Sequence, residues 1–116
     1  MKKIVLLSGF LVFFVLNAIA YAHPPSDIKI TFDPKTKMLN AVIIHDVSNP
    51  SKHYIKKVDV ALNGKEIIEQ SISQQDNFDS QTVSYLIPDA KAGDVLSVEG
   101  YCSISGKLVK QLKSIP

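Results

Sequence analysis

The chain has 116 residues, 46% of them apolar and 21% charged, with one cysteine and no arginine, so that all 13 basic side chains are lysines. That length suits one domain with a modest core. An arginine-free surface with nearly balanced charge lacks the footprint of a nucleic-acid binder and of a domain drawn to anionic lipid, and a single cysteine excludes an internal disulfide.

The first 22 residues have the layout of a signal peptide. Met1-Lys2-Lys3 is a positive start, Ile4 to Leu16 is an apolar run short of a membrane span, and Ala18-Ile19-Ala20 and Ala20-Tyr21-Ala22 are small-x-small cleavage sites. The expected division is therefore a signal peptide over 1–22 and one exported domain over 23–116, periplasmic or secreted. Removing the leader takes two lysines with it and leaves 94 residues, with 11 Lys against 11 Asp plus Glu. Nothing in the remaining segment is apolar for long enough to span a membrane.

After the cut, His23-Pro24-Pro25-Ser26-Asp27 is extended and turn-prone, because neither proline can donate to a ladder. Ile28, Ile30 and Phe32 alternate with Lys29 and Thr31, the period of a half-buried strand. Asp33 to Lys37 is a turn, and Met38 to His45 is nearly continuous apolar sequence, a central strand ending in a histidine. Ser48-Asn49-Pro50-Ser51 is a loop. Beyond His53-Tyr54, Val58, Val60 and Leu62 share one face of a strand that closes on Asn63-Gly64, a two-residue hairpin signal. Glu66 to Ile72 follows, with Ile67 breaking its alternation. Gln74 to Ser80 reads as a polar loop with Phe78 as its anchor. Thr82 to Ile87, Val95 to Cys102 and Lys107 to Leu112 are further strands, separated by turns at Asp89–Asp94 and Ser105-Gly106. Seven short strands with frequent turn signals predict an all-β, immunoglobulin-like antiparallel β-sandwich.

The sequence holds no G-x-S-x-G elbow, phosphate-cradling glycine loop or C-x-x-C pair. Asp59, Glu66 and Glu69 read as a solvated face. The residues with chemistry to offer are His23, His45, His53 and Cys102, each at the boundary of an element, where a rigid sandwich mounts its sites. Read alone, histidines at strand ends are equally ordinary polar punctuation, and a lone cysteine is equally a small buried hydrophobe.

His53-Tyr54-Ile55 running into an alternating strand and Asn63-Gly64, followed late in the chain by Tyr101-Cys102-Ser103-Ile104-Ser105-Gly106, resembles the superoxide reductase domain of the desulfoferrodoxin and neelaredoxin family. The likeness extends over most of 23–116: His23-Pro24-Pro25 looks like the family's early H-x-P, His45 precedes the H-Y-I segment as a family histidine does, and Cys102 to Gly106 is similar to its closing C-N-x-H-G. The resemblance implies one mononuclear non-haem iron, ringed by imidazoles, with an axial thiolate and a position open to superoxide or another small ligand. An electron donor must restore the ferrous state. Carried onto this chain, it gives His53, Cys102, His45 and His23 as ligands, with Lys52 as the cation that guides superoxide. The chain departs from the pattern at Ser105, where the family has its last histidine, and at Asn49-Pro50, where it has a histidine-proline pair. It departs also at Tyr21-Ala22, where a Glu-Lys pair is usual.

Two other readings follow from the residues. Cleavage after Ala22 would free the His23 α-amine to chelate copper together with its imidazole and His45 or His53, since tetragonal nitrogen ligation favours Cu(II). The domain could also be a metal-free interaction module using Tyr54 and Phe78.

Overall fold

The computed structural model describes residues 23–112 and Ile115, so the signal peptide expected over 1–22 lies outside the described residues. Seven strands follow in order: β1 (Asp27–Asp33), β2 (Met38–Ile44), β3 (Ile55–Leu62), β4 (Lys65–Ser71), β5 (Ser80–Leu86), β6 (Leu96–Cys102) and β7 (Lys107–Leu112). They form two antiparallel sheets, ordered β1-β2-β5 and β4-β3-β6-β7, which is the sandwich that the alternating segments predict. No helix among the described residues is long and apolar enough to cross a membrane.

Side-chain alternation builds the core. Leu39, Ala41 and Ile43 of β2 are fully buried, as are Val58 and Val60 of β3 and Leu96 and Val98 of β6. Each such Val, Leu or Ile contributes about 1.5–3 kcal/mol through area removed from water. The alternation breaks at two places. Ile55 and Val58 are both buried although three residues apart, because Ile55 pairs with Cys102 and Lys57 with Tyr101, leaving Lys56 as an extra residue. A second irregularity lies between Val60–Ile68 and Ala61–Glu66; it leaves Ile67 unpaired and 39% exposed, while Ile68 packs on the core. Both are β-bulges, and each re-aims the strand beyond it.

The two ends of the sandwich are closed differently. At one end, Asn63 and Gly64 take φ of 51° and 82° and join Leu62 to Lys65, as the positive-φ pair of a tight hairpin requires. There Asn63 Nδ2 donates to Asp94 Oδ1 at 3.0 Å, and Ile115 N–H donates to the Asp94 carbonyl at 3.0 Å. At the other end the buried rows run on into polar chemistry. The inward row of β2 continues from Ile43 to His45, and that of β6 ends on Cys102; His45 is fully buried and Cys102 is 2% exposed.

Candidate metal centre

Four segments meet at this second end. The lead-in to β1 is laid along the end of β2 by Ser26 N–H donating to the Ile44 carbonyl at 2.9 Å, which brings His23 beside His45. His45 itself is held by a continuation of the β2–β5 pairing, in which its N–H donates to Asp79 O at 2.9 Å and Val47 N–H to Phe78 O at 2.8 Å. The loop then reverses at Asn49, whose carbonyl accepts from Lys52 N–H at 3.1 Å and His53 N–H at 2.9 Å. Asn49 Oδ1 accepts from Ser51 N–H at 3.1 Å, and together these bonds fix where His53 leaves the turn.

The three imidazoles form a near-equilateral triangle. Ring centroids are 4.8 Å apart for His23 and His45, 4.9 Å for His23 and His53, and 4.7 Å for His45 and His53. One ligand-capable nitrogen from each ring lies within 4.8 Å of those from the other two, with His45 buried and the other two half-buried. An ion with bonds of ~2.1 Å needs neighbouring nitrogens at roughly 3–3.4 Å, a contraction that side-chain rotation can supply. The arrangement could hold a metal ion. It also disfavours protonation: burial first, and then the facing His45 and His23, hold the His53 pKa below the usual 6.5.

Cys102 stands beside this triangle and joins it through His53. Its Sγ is 3.2 Å from His53 Nε2 and accepts from Ile104 N–H at 3.4 Å. The turn that carries it is pinned to the start of β3 by Ser103 N–H donating to the Tyr54 carbonyl at 2.8 Å and Tyr54 N–H donating to Ser103 Oγ at 3.1 Å. Gly106 closes the turn with φ +91°, its carbonyl accepting from Cys102 N–H at 2.9 Å. A Cβ on Gly106 would lie 2.8 Å from Pro24 Cβ, so this glycine lets the His23 arm pack on the cysteine turn.

Beyond the rings an open cleft of ≈ 590 Å³ is lined by His23 and His53 together with Val47, Asn49, Lys52 and Ile104, among others. Lys52 is exposed at this cleft, and so is Asn49. Ser105 is exposed and does not line it. The structure thus gathers His23, His45 and His53, sets Cys102 against His53, and leaves Lys52 exposed at a cleft that Asp46 also lines.

Two expectations need correcting. Phe78 does not anchor the loop before β5: it is 60% exposed, and the anchor is Gln75, at 1%. An aromatic there could turn outward because Gln75 makes four hydrogen bonds inside, while a polar amide in a polar stretch gives no periodic signal. Of the three residues expected on a solvated face, Glu66 and Glu69 are exposed and only Asp59 departs from it. The Asp59 side chain is 14% exposed, lies 3.7 Å from Lys57 Nζ and has a buried Oδ1 without a partner among the described residues. Its charge, with some burial, raises the Glu66 pKa. This group lies on the outer face of the four-stranded sheet, where Asp59 pairs with Glu99 and Glu69, away from the histidines.

No protein-family model, curated protein or solved structure matches this chain.

Proposed function

We propose that the domain is an exported mononuclear non-haem iron protein of superoxide-reductase type, with His23, His45, His53 and Cys102 as ligands. The observation that carries this reading is the 3.2 Å separation of His53 Nε2 and Cys102 Sγ. Nitrogen and sulfur bound to one ion at ~2.1 and ~2.3 Å stand ~3.1 Å apart if their bonds meet at a right angle and ~3.6 Å if tetrahedral. A separation of 3.2 Å falls in that span, so the pair can take neighbouring positions on one ion. Imidazole matches Fe(II), and an anionic thiolate favours the ferric product, an effect that the Ile104 N–H on its sulfur moderates.

Bound ferrous iron would supply one electron to superoxide, which leaves as hydrogen peroxide after taking up two protons. The chain's own part is to keep one side of the site open through the cleft and to place the Lys52 ammonium where a small anion enters. His45 closes the opposite side with a fully buried ring. With Ser105 outside the cleft, three imidazoles and one thiolate leave more than one position for water or ligand.

A copper chelate through the His23 α-amine is the second reading, and one contact argues against it. His23 Nδ1–H donates to the Pro24 carbonyl at 3.1 Å, which engages the ring atom that such a chelate needs. Metal analysis of the mature protein purified without oxygen tests both, with about one iron per chain expected and no iron in Cys102→Ser. Superoxide consumption with matching peroxide release would establish the activity. Protein that takes up copper but no iron, and loses the copper when one residue is added before His23, would replace the first reading with the second. Protein that binds neither would leave an interaction module.

A further inference from the structure

Gln75 lies in the polar stretch between β4 and β5, yet its side chain is buried and uses every hydrogen-bonding position it has. Oε1 accepts from His45 Nδ1–H at 2.9 Å and from Ile55 N–H at 3.2 Å. Nε2 donates to the His45 carbonyl at 2.8 Å and to the Asn77 carbonyl at 3.0 Å. Two donors and two acceptor sites are the whole capacity of an amide. Its orientation is fixed by partners that cannot change roles: a backbone N–H only donates, and a backbone carbonyl only accepts. A flipped amide would oppose three of them.

Oε1 can only accept and so calls for the proton on Nδ1. Nε2 faces a second acceptor, the His23 carbonyl, but at 3.3 Å against 2.9 Å, so the shorter bond keeps the proton of a neutral His45 on Nδ1 and the lone pair on Nε2. The same side chain ties the ends of β2 and β3 together, since it bonds His45 through both ring and carbonyl and Ile55 through its N–H. Rotating the ring away would strand the buried Nδ1–H, at a cost of about 1–3 kcal/mol, and leave Oε1 with its bond from Ile55 N–H alone.

We propose that Gln75 is the positioning residue of the metal centre, holding His45 in the Nδ1–H tautomer so that Nε2 is its ligating atom. The inference rests on reading the histidine cluster as a metal centre, and it adds the group that selects which nitrogen binds. A hydrogen-bonded partner on the far nitrogen is how proteins fix ring direction and raise ligand basicity. Here a neutral amide replaces the commoner carboxylate or carbonyl, so the tautomer is set without adding charge.

The test needs two variants and one measurement on the unchanged protein. ¹⁵N NMR of the metal-free protein, recorded near pH 8 where imidazoles are neutral, is expected to show His45 with its proton on Nδ1. Gln75→Met keeps most of the volume but no strong acceptor, and should lose that tautomer preference and weaken Co(II) binding about 10–100-fold. Gln75→Glu loses the donations to His45 O and Asn77 O but keeps an oxygen facing Nδ1, so it should hold the tautomer and stay within about 3-fold of the parent in Co(II) affinity. Affinity that falls equally in both variants, in step with their loss of stability, would overturn the positioning role. An Nε2–H tautomer in a parent protein that binds Co(II) would overturn it with no variant at all. A parent protein that takes up no Co(II) would instead sink the metal-centre reading beneath it, a result that the tautomer spectrum distinguishes.

Discussion

Replacing Gly106 with alanine separates the contribution of the His23 arm from that of the rest of the site. The new Cβ would stand 2.8 Å from Pro24 Cβ, 3.0 Å from its N and 3.1 Å from its Cα, where ordinary contact begins at 3.4 Å. Two of those atoms are backbone, so relief requires the arm itself to move, by about 0.6 Å (3.4 less 2.8) if packing is to return to ordinary contact. Gly106 also has φ +91°, and an L-residue there costs about 1–2 kcal/mol whatever its surroundings. Gly93 supplies the control, since its φ is +89° and nothing lies within 4 Å of a Cβ built on it. Gly93→Ala should therefore show the backbone cost alone. Gly106→Ala should show that cost plus about 1 kcal/mol, at the low end for overpacking because a chain lead-in can yield. Urea unfolding of the two variants reads the difference. In metal titrations Gly93→Ala should match the parent, while Gly106→Ala should bind about 10–100-fold more weakly because one imidazole has been drawn off. Adding His23→Ala should then change Gly106→Ala little, as expected for two changes that remove the same contact. Equal metal affinities in the two alanine variants would refute the idea that the Pro24–Gly106 contact holds His23 in place.

Three further outcomes follow from the geometry. Cys102→Ser should lose bound iron and any sulfur-to-iron absorption while the domain still folds, because the side chain's volume is nearly kept; retention of iron would remove Cys102 from the ligand set. The folded pKa of His53 lies below its unfolded value of 6.5, so the unfolded chain takes the proton first. Metal-free protein should then be unaffected above that value, lose stability as pH falls through it, and level off below the folded pKa; urea midpoints across pH 8 to 5 that stay flat would contradict this. Asp59→Asn should lower the Glu66 pKa toward its usual 4.5, since Asp59 is the first cause of its elevation, and should leave metal binding unchanged. A ¹³C carboxyl titration checks the first part, and an altered metal affinity would show that the outer face communicates with the histidines.

Much of the fold can be read from residue order alone. Strict alternation in Ile28–Phe32 and Val58–Leu62 requires half-buried strands, and Asn63-Gly64 requires a tight turn because both residues accept positive φ. The apolar run from Met38 predicts a central strand, and β2 is the middle strand of its sheet. Four residues of the site are equally visible, since histidine and cysteine are rare here and stand at strand ends. What order could not supply is their distance from one another. His45 is buried because it continues the inward row of β2, and Cys102 because it ends the inward row of β6. Their common end of the sandwich follows only once β3 pairs with β6 and β2 packs across from them.

Three features needed the tertiary structure. The extra residue at Lys56 changes which side of β3 faces inward, and so places Ile55 opposite Cys102; local sequence shows only a lysine beside a lysine. Gln75 carries no periodic or motif signal, because its role comes from four partners on distant or irregular segments. Gly106 can be read as a turn glycine, but its near contact with Pro24 joins residues more than eighty positions apart. Alternation and turn chemistry are local, set by the backbone and by neighbours two to four residues away. Convergence of imidazoles, a tautomer held by a buried amide and an arm seated on a glycine depend on how two sheets stack, and that is decided by packing across the whole core.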